Sequence, residues 1–459
     1  MTTTPRIPGP SRAFPIRTLA QFRRDPIAYL RRLSRDYGTI ARFRIPGSDL
    51  IVVNDPDHIR DILVTNQRSF HKGRGLERAK RLLGEGLLTS EVDFHLRQRR
   101  MIQPSFHRQR IVEYGREMST IAAKVAGRWS EGSVIDIGEE AAAITLMIVG
   151  KTLFNTDVEG DRSDVGDALN DAMKLFGMLS LPGARFLEKL PLPAVKRFKA
   201  ARAKLDATIF RIIDEHKDED DQGDLLSMLL AARDDEEDGA HMTVSQVRDE
   251  AMTLFIAGHE TTATSVGWTL YLLSQYPEIE ARLAAEVKDV LGDRLASVDD
   301  LPSLKYTRQV IAESLRLYPP GWLIGRRALV DYPVGGYVIP KGSIAVLAPV
   351  VTQVDPRFWP EPMRFDPDRW AVEASTSPQP SPPEREQLED RPKFAYFPFG
   401  GGPRICIGEN FAWMELILVM STLIQRWRFA LAPDQKVETA PIITLRSKNP
   451  IMMEVAERY

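Results

Sequence analysis

The stretch FPFGGGPRICIGENFAWMELILVM, Phe397 to Met420, holds the single cysteine of a 459-residue chain. Three glycines, a proline and an arginine lead into Cys406, and after Glu409 apolar and polar residues alternate at helical spacing. That pattern predicts a tight loop turning into a helix, with the thiol at the junction. Backbone amides at a helix N-terminus, with Arg404 two residues away, favour the ionised sulfur. A thiolate is a nucleophile or a metal ligand, and the rest of the chain has to decide between them.

One cysteine allows no intrachain disulfide, so the fold needs no oxidising compartment and a cytoplasmic location is expected. The N-terminal stretch MTTTPRIPGPSRAFPIRTLAQFRRDP contains no apolar run long enough for a signal peptide or a membrane anchor. A net charge of −2 names no partner, and 43% hydrophobic residues in 51.8 kDa can bury a large core. Residues 25–36 read as a short amphipathic helix, and 37–56 as two strands around the turn PGSD. From Pro56 to about Tyr318 the pattern is almost wholly helical, and beyond Pro320 it returns to strands punctuated by Gly and Pro. The expected class is mainly α with smaller β regions (α+β), strands from both chain ends sharing sheets and so tying residues 1–459 into one domain. The acidic clusters at 218–224 and 234–238 read as solvated loops, and the Pro-, Ser- and Glu-rich segment 374–392 as a mobile surface insertion.

TVSQVRDEAMTLFIAGHETTATSVGWTLYLLSQYP opens with a capping-box pattern, Thr243 to Gln246, and stops at Pro277, which predicts one helix of about 50 Å. Glu260 and five threonines within its apolar run argue against a membrane span and for a helix in the core of a large helical protein. Two readings of the polar residues stay open. Thr261 and Thr262 bond back to carbonyls four residues earlier while Glu260 finds a cation. Alternatively, Ala257 and Gly258 leave room for a ligand, beside which Thr261 and Glu260 handle protons. His259 reads as a packing residue.

Further along, Glu313 and Arg316 share a helix face in LKYTRQVIAESLRLYPP, and RFDPDRW carries another arginine, Arg369, between them and Cys406. Taken together, these stretches resemble the cytochrome P-450 family of haem-thiolate monooxygenases over essentially the whole chain. FGGGPRICIG resembles the haem-binding loop F-x-x-G-x-R-x-C-x-G, with Phe399, Gly402, Arg404, Cys406 and Gly408 at its fixed positions. AGHETT is similar to the oxygen-activating segment of the central helix, and ESLR to the buried E-x-x-R. FDPDRW resembles F-x-P-E-R-F, departing at Asp368 and Trp370, and HLRQR (His95 to Arg99) resembles an H-x-x-x-R pattern that contacts a haem propionate.

The resemblance implies a long central helix lying over haem b, with Cys406 as the axial ligand of its iron. Thiolate ligation favours O–O cleavage. Phe399 and the Cys406–Gly408 turn would shield the sulfur, and His95, Arg99, Arg326 and Arg404 would hold the propionates, with Ala257 and Gly258 close to the cofactor. Thr261 would hydrogen-bond the bound dioxygen and Glu260 link it to a proton supply, while Glu313, Arg316 and Arg369 would form a buried network fixing the cysteine loop. The implied substrate is an apolar small molecule such as a fatty acid, terpenoid or steroid, lined by Phe176, Leu179, Leu323, Ile324 and Ile443. One cysteine cannot also hold an iron–sulfur cluster, so a separate ferredoxin- or flavodoxin-type donor with its reductase is expected. Between Lys72 and Arg110 stand ten Lys or Arg against four Asp or Glu, and the donor would dock on this basic face near Arg97, Arg100 and Arg108. A dianionic cofactor accounts for part of that excess, so nucleic acid is not an expected partner, and a monomer is expected. Two alternatives share the scaffold: a peroxide-driven peroxygenase and a non-catalytic haem-thiolate sensor.

Overall fold

The computed structural model describes residues 5–11, 15–106, 108–155, 192–217, 224–234, 239, 241–371 and 391–458. The helices that matter below are α1 (Pro26–Tyr37), α2 (Val92–Ile102), α3 (Arg108–Ala126), α4 (Ile137–Phe154), α5 (Pro193–Lys217), α6 (Leu225–Ala231), α7 (Val244–Gln275), α8 (Lys305–Leu317) and α9 (Glu409–Arg426). Strands β1 (Ile40–Ile45), β2 (Ser48–Val53), β3 (Phe70–Lys72), β5 (Ile324–Ala328) and β8 (Ile344–Leu347) form one sheet in the order β1-β2-β8-β5-β3. Here the early hairpin runs parallel to β8, with Leu50 opposite Ile344. A second sheet joins β4 (Val134–Asp136), β12 (Met452–Glu457) and β9 (Trp427–Leu431). The pairs β6 (Tyr332–Val334) with β7 (Tyr337–Ile339) and β10 (Thr439–Pro441) with β11 (Leu445–Ser447) are separate hairpins.

The central helix forms for the reasons its sequence gives. Thr243 Oγ1 accepts the Gln246 amide at 3.2 Å, the Gln246 side chain accepts the Thr243 amide at 2.7 Å, and the chain turns at Tyr276, before Pro277. Its 32 residues are buried on most sides, packed against α4 and sharing one apolar core with α3, α8 and α9. No helix among the described residues is long and apolar enough to cross a membrane.

Two expectations need refinement. β3 and β4 lie inside the stretch read as almost wholly helical; three residues are too few to show an alternation, and each strand is defined only by its distant partner. The acidic clusters are not simply solvated. Asp224 is buried, caps α6 through the Ser227 amide (2.7 Å) and meets His216 Nε2 at 2.8 Å, so it pins the end of α5 to α6. Asp234, only 2% exposed, pairs with Arg97 at 2.8 Å and Arg100 at 3.4 Å. The rest of both clusters, and nearly all of the expected insertion 374–392, lies outside the described residues.

Val92, the first residue of α2, has φ +47° although it is β-branched, and its side chain is 43% exposed. That conformation costs ~1–3 kcal/mol for a non-glycine residue. Val92→Gly relieves it with little loss of packing and is expected to raise unfolding free energy by ~1 kcal/mol after the extra unfolded-state entropy of glycine is subtracted. Denaturant titration checks this, and a variant no more stable than wild type would refute it.

Candidate active site

The loop before Cys406 is shaped by its glycines. Gly400 and Gly402 have φ of +78° and +70°, and a Cβ on Gly402 would lie 2.1 Å from the Leu63 carbonyl oxygen. The Cys406 amide donates to Phe399 O at 3.0 Å, and Arg99 donates to Ile405 O at 2.7 Å, so α2 clamps the loop from one side. Gly408 is less constrained: its φ is −87°, and the nearest neighbour of an added Cβ is the Phe106 ring at 3.9 Å.

Cys406 retains accessible surface although many protein atoms surround it. Its ionisation differs from expectation. Burial pushes the thiol up to about 11, with Glu409 adding to the rise, and the Gly408 amide and Arg99 offset only part of it. Arg404 does not serve the sulfur: it turns to Ser90 O (3.2 Å) and to the Glu91 carboxylate. A thiol held neutral in this way is a poor nucleophile. It becomes an anion when a metal cation binds it, which favours the ligand role.

The second part of the site is a knot of buried cations. Lys72 and Arg326 face each other across β3 and β5, Arg404 comes from the cysteine loop, and His95 and Arg99 come from α2. Burial, aided by Lys72, Arg404, Arg99 and Arg326, lowers His95 to about 3, and burial with Arg404 lowers Arg326 to about 10. Among the described residues the acids that temper the knot are Glu91 and Glu250 of α7, and burial holds Glu250 up at about 8. Three guanidinium groups, Arg99, Arg326 and Arg404, beside a lysine and a histidine that burial pushes toward their neutral forms, with so little negative charge around them, fit a dianionic group, as haem b with its two carboxylates is. Lys72 and Glu91 were not singled out by sequence reasoning: a lysine at the end of a three-residue strand carries no periodic signal.

Along its middle α7 is buried except at Ala257, Gly258, Thr261 and Thr264, a stripe of partly open residues at helical spacing. Thr261 Oγ1 donates to Ala257 O at 2.7 Å and Thr262 Oγ1 to Gly258 O at 3.0 Å. The room expected at Gly258 is taken in part by α4, since an added Cβ would meet Val149 at 3.2 Å. Glu260 is turned toward the β10–β11 hairpin, where it pairs with Arg446 Nε at 2.7 Å and accepts the Thr444 hydroxyl. His259 is a packing residue, its Nδ1 2.9 Å from Thr145 Oγ1. Behind α7, Glu415 of α9 is fully buried and held up at about 8 by that burial, with the Thr262 hydroxyl as the group that lowers it.

Glu313, Arg316 and Arg369 come together. Glu313 accepts from Arg316 Nε (2.8 Å) and Nη2 (2.7 Å), from the Asp366 amide (3.1 Å) and from Trp370 Nε1 (2.9 Å), with Arg369 Nε at 3.3 Å. The tryptophan that departs from the family pattern thus adds a donor that phenylalanine lacks. Arg316 donates to Gln353 O at 2.9 Å, and Gln353 Oε1 accepts the Phe397 amide at 3.0 Å, a path from this network to the start of the cysteine loop. Arg391 stacks on Trp359, its guanidinium 4.5 Å from the ring.

Of the expected substrate contacts, Leu323 and Ile324 are half-buried in two different apolar clusters, and Ile443 is 39% exposed at the turn between β10 and β11. Ile324 reaches the cysteine loop: a Cβ on Gly400 would touch it at 3.6 Å. Phe176 and Leu179 lie outside the described residues. On the expected docking face, Arg97 and Arg100 are already paired with Asp234, so an acidic partner would compete with an internal carboxylate.

A family model described as cytochrome P-450 matches residues 7–455. Cyclooctatin synthase of Streptomyces melanosporofaciens is 36% identical over 92% of this chain and 89% of its own. Pentalenene oxygenase of Streptomyces avermitilis is 34% identical over 95% and 94%, and cyclooctat-9-en-7-ol 5-monooxygenase of Streptomyces melanosporofaciens 33% over 91% and 87%. Among solved structures, the haem domain of cytochrome P450DA superposes with a TM-score of 0.88 at 26% identity, covering 99% of this chain and 98% of that one. With the family model matching from residue 7 to 455, relatives at 33–36% identity over more than nine tenths of the chain, and a thiol loop beside a cluster of basic side chains suited to two carboxylates, the chain belongs to the cytochrome P-450 family and is a monooxygenase whose cofactor is haem b.

Proposed function

We propose that the protein inserts one oxygen atom into a cyclic terpenoid, R–H + O2 + 2e− + 2H+ → R–OH + H2O, with electrons from a separate ferredoxin- or flavodoxin-type donor and its reductase. The observation that carries the substrate class is the likeness to two enzymes named for cyclic terpenoids, pentalenene and cyclooctat-9-en-7-ol, over 95% and 91% of this chain. We read residues 1–459 as a single haem domain, in which the one thiol is committed to haem and none is left for an iron–sulfur cluster.

Haem with a thiolate ligand supplies oxygen activation. The protein's own groups do the rest. Cys406 would hold the iron, and Arg99, Arg326, Arg404 and His95 would hold the carboxylates. Apolar Leu323 and Ile324 keep water from the space beside the cysteine loop. The Thr261 hydroxyl, on the open stripe of α7 and bonded to Ala257 O at 2.7 Å, would be the residue that hydrogen-bonds dioxygen there. Glu260, held by Arg446 and Thr444 at the β10–β11 hairpin, would be the acid beside it that links the site to a proton supply. Thr261→Ala is therefore expected to cut product formed per electron pair by ~10-fold or more, with electron uptake continuing and peroxide appearing instead. Product and peroxide yields from one reaction mixture check this.

The test of the function is turnover of cyclic terpenes, fatty acids and steroids by the purified protein with a surrogate ferredoxin and reductase, under labelled dioxygen. One labelled atom in a terpenoid alcohol supports the proposal. Turnover of fatty acids or steroids alone would overturn the substrate class. Turnover with hydrogen peroxide but not with the donor would point to a peroxygenase, and no oxidation under either regime to a sensor.

A further inference from the structure

Glu260 and Thr261 are neighbours on α7, yet no hydrogen bond joins their side chains among the described residues. The Thr261 hydroxyl donates to Ala257 O, and the Glu260 carboxylate is taken by the β10–β11 hairpin. Both of its partners, Arg446 Nε at 2.7 Å and the Thr444 hydroxyl, bind the same oxygen, Oε1, and the carboxylate is only 5% exposed. Arg446 pairs with no other acid among the described residues. A carboxylate held by a guanidinium and a hydroxyl accepts hydrogen bonds and has no proton to give. The hairpin that makes this hold is small. Its strands pair over three residues each, from Thr439 opposite Ser447 to Pro441 opposite Leu445, too few to stand alone in water. Its place is set by a few bonds: Trp268 Nε1 of α7 donates to Leu445 O at 2.6 Å, Trp322 Nε1 to Ile442 O at 3.3 Å, and the Leu445 amide to Pro320 O at 3.0 Å. An element held by so few contacts opens at low cost.

We propose that the β10–β11 hairpin is a latch on proton delivery, with Arg446 and Thr444 as positioning residues that keep Glu260 from the Thr261 hydroxyl until the hairpin lifts. The inference rests on Glu260 and Thr261 being the proton-handling pair of the proposed function. Thr444 and Arg446 are two residues apart at one end of the same short strand, β11, so they leave Glu260 together. One small movement therefore frees Oε1 of both its bonds. The released carboxyl group can take up a proton from water and pass it toward the Thr261 hydroxyl. While the hairpin is seated, the acid is withheld, and reduced protein meeting dioxygen has no internal proton donor beside Thr261.

The experiment uses no substrate, so it does not depend on the substrate class. Haem-loaded protein is reduced with dithionite, the carbon monoxide spectrum of a portion is recorded, and the rest is mixed with oxygenated buffer made in water or in heavy water. In the step that is timed, one electron passes from the iron to dioxygen, one proton is taken up, and a hydroperoxyl radical leaves as the oxidised spectrum returns. Arg446→Gln is expected to return ~5-fold faster than wild type or more, and more slowly in heavy water than in water, because the acid is free to donate. Arg446→Lys, which keeps a cation for the carboxylate, should stay near wild type. The double variant Arg446→Gln with Glu260→Gln should fall back to the wild-type rate, whereas mere loosening of the hairpin would leave it as fast as Arg446→Gln. Unfolding midpoints of the same proteins give a second readout: loss of Arg446 should lower the midpoint less once Glu260 is replaced. Thr444→Val removes one of the two bonds, should move the rate the same way by less, and keeps the test open if Arg446→Gln fails to fold. An Arg446→Gln protein with the wild-type rate, or a double variant as fast as the single one, would overturn the proposal. Absence of the red-shifted carbon monoxide band in wild type would instead overturn the haem reading, and Thr261→Ala with the wild-type product yield would overturn the proton-handling pair.

Discussion

Cys406→Ser is expected to give a folded protein whose reduced, carbon monoxide-treated spectrum lacks the strongly red-shifted Soret band of wild type and whose oxygenation falls by ~10³-fold or more. The backbone of the loop does not depend on the sulfur. The residue 406 amide still donates to Phe399 O, the Ile405 carbonyl still accepts from Arg99, and the positive φ values belong to Gly400 and Gly402. What changes is the donor atom. Burial that already holds a thiol at about 11 holds an alcohol neutral far more firmly, so serine offers the iron no anion at any working pH. The spectrum separates this outcome from unfolding. A variant that keeps the red-shifted band would show that Cys406 is not the ligand.

Glu313→Ala should destabilise the protein by ~3–5 kcal/mol and release haem during purification. Glu313 is wholly buried and pairs with both Arg316 and Arg369, the latter reaching only one other carboxylate among the described residues, Asp366 at 4.0 Å. Without it two guanidinium groups are left in the core, and the Trp370 indole and the Asp366 amide lose their acceptor. The damage reaches the haem loop because Arg316 also holds the Gln353 carbonyl, and the Gln353 side chain holds Phe397. Denaturant midpoints and haem content measured together check both effects; a variant with a wild-type midpoint would mean that the arginines find other anions.

The parts of this protein that the sequence made legible are those whose cause is local. Thr243 and Gln246 announce the start of α7 because both halves of the capping box lie within one turn, and the glycine run before Cys406 announces a tight loop because its positive φ values are local. The pair Glu313 and Arg316 is adjacent on one helix face, so its spacing alone suggested it. What stayed hidden depends on partners far along the chain. Asp234 sits in an acidic run that reads as solvated, and its burial follows from arginines on α2. Arg404 stands two residues from the thiol yet serves Glu91, because an arginine side chain is long enough to pass its neighbour. That Glu260 finds a cation was one of two readings the sequence left open, but which cation was hidden, because Arg446 lies on the hairpin near the C-terminus.

The pairing of β3 with β5 also sets a timetable for biosynthesis. The two strands lie more than half the chain apart, and β5 leaves the ribosome roughly 10–50 s after β3 at ordinary elongation rates. Throughout that interval the β3 edge lacks the strand that pairs with it, and Lys72 lacks the arginine set opposite it. With Arg404 and Cys406 as the proposed haem-holding residues, capture of the cofactor would follow synthesis of the last fifth of the protein, where both lie.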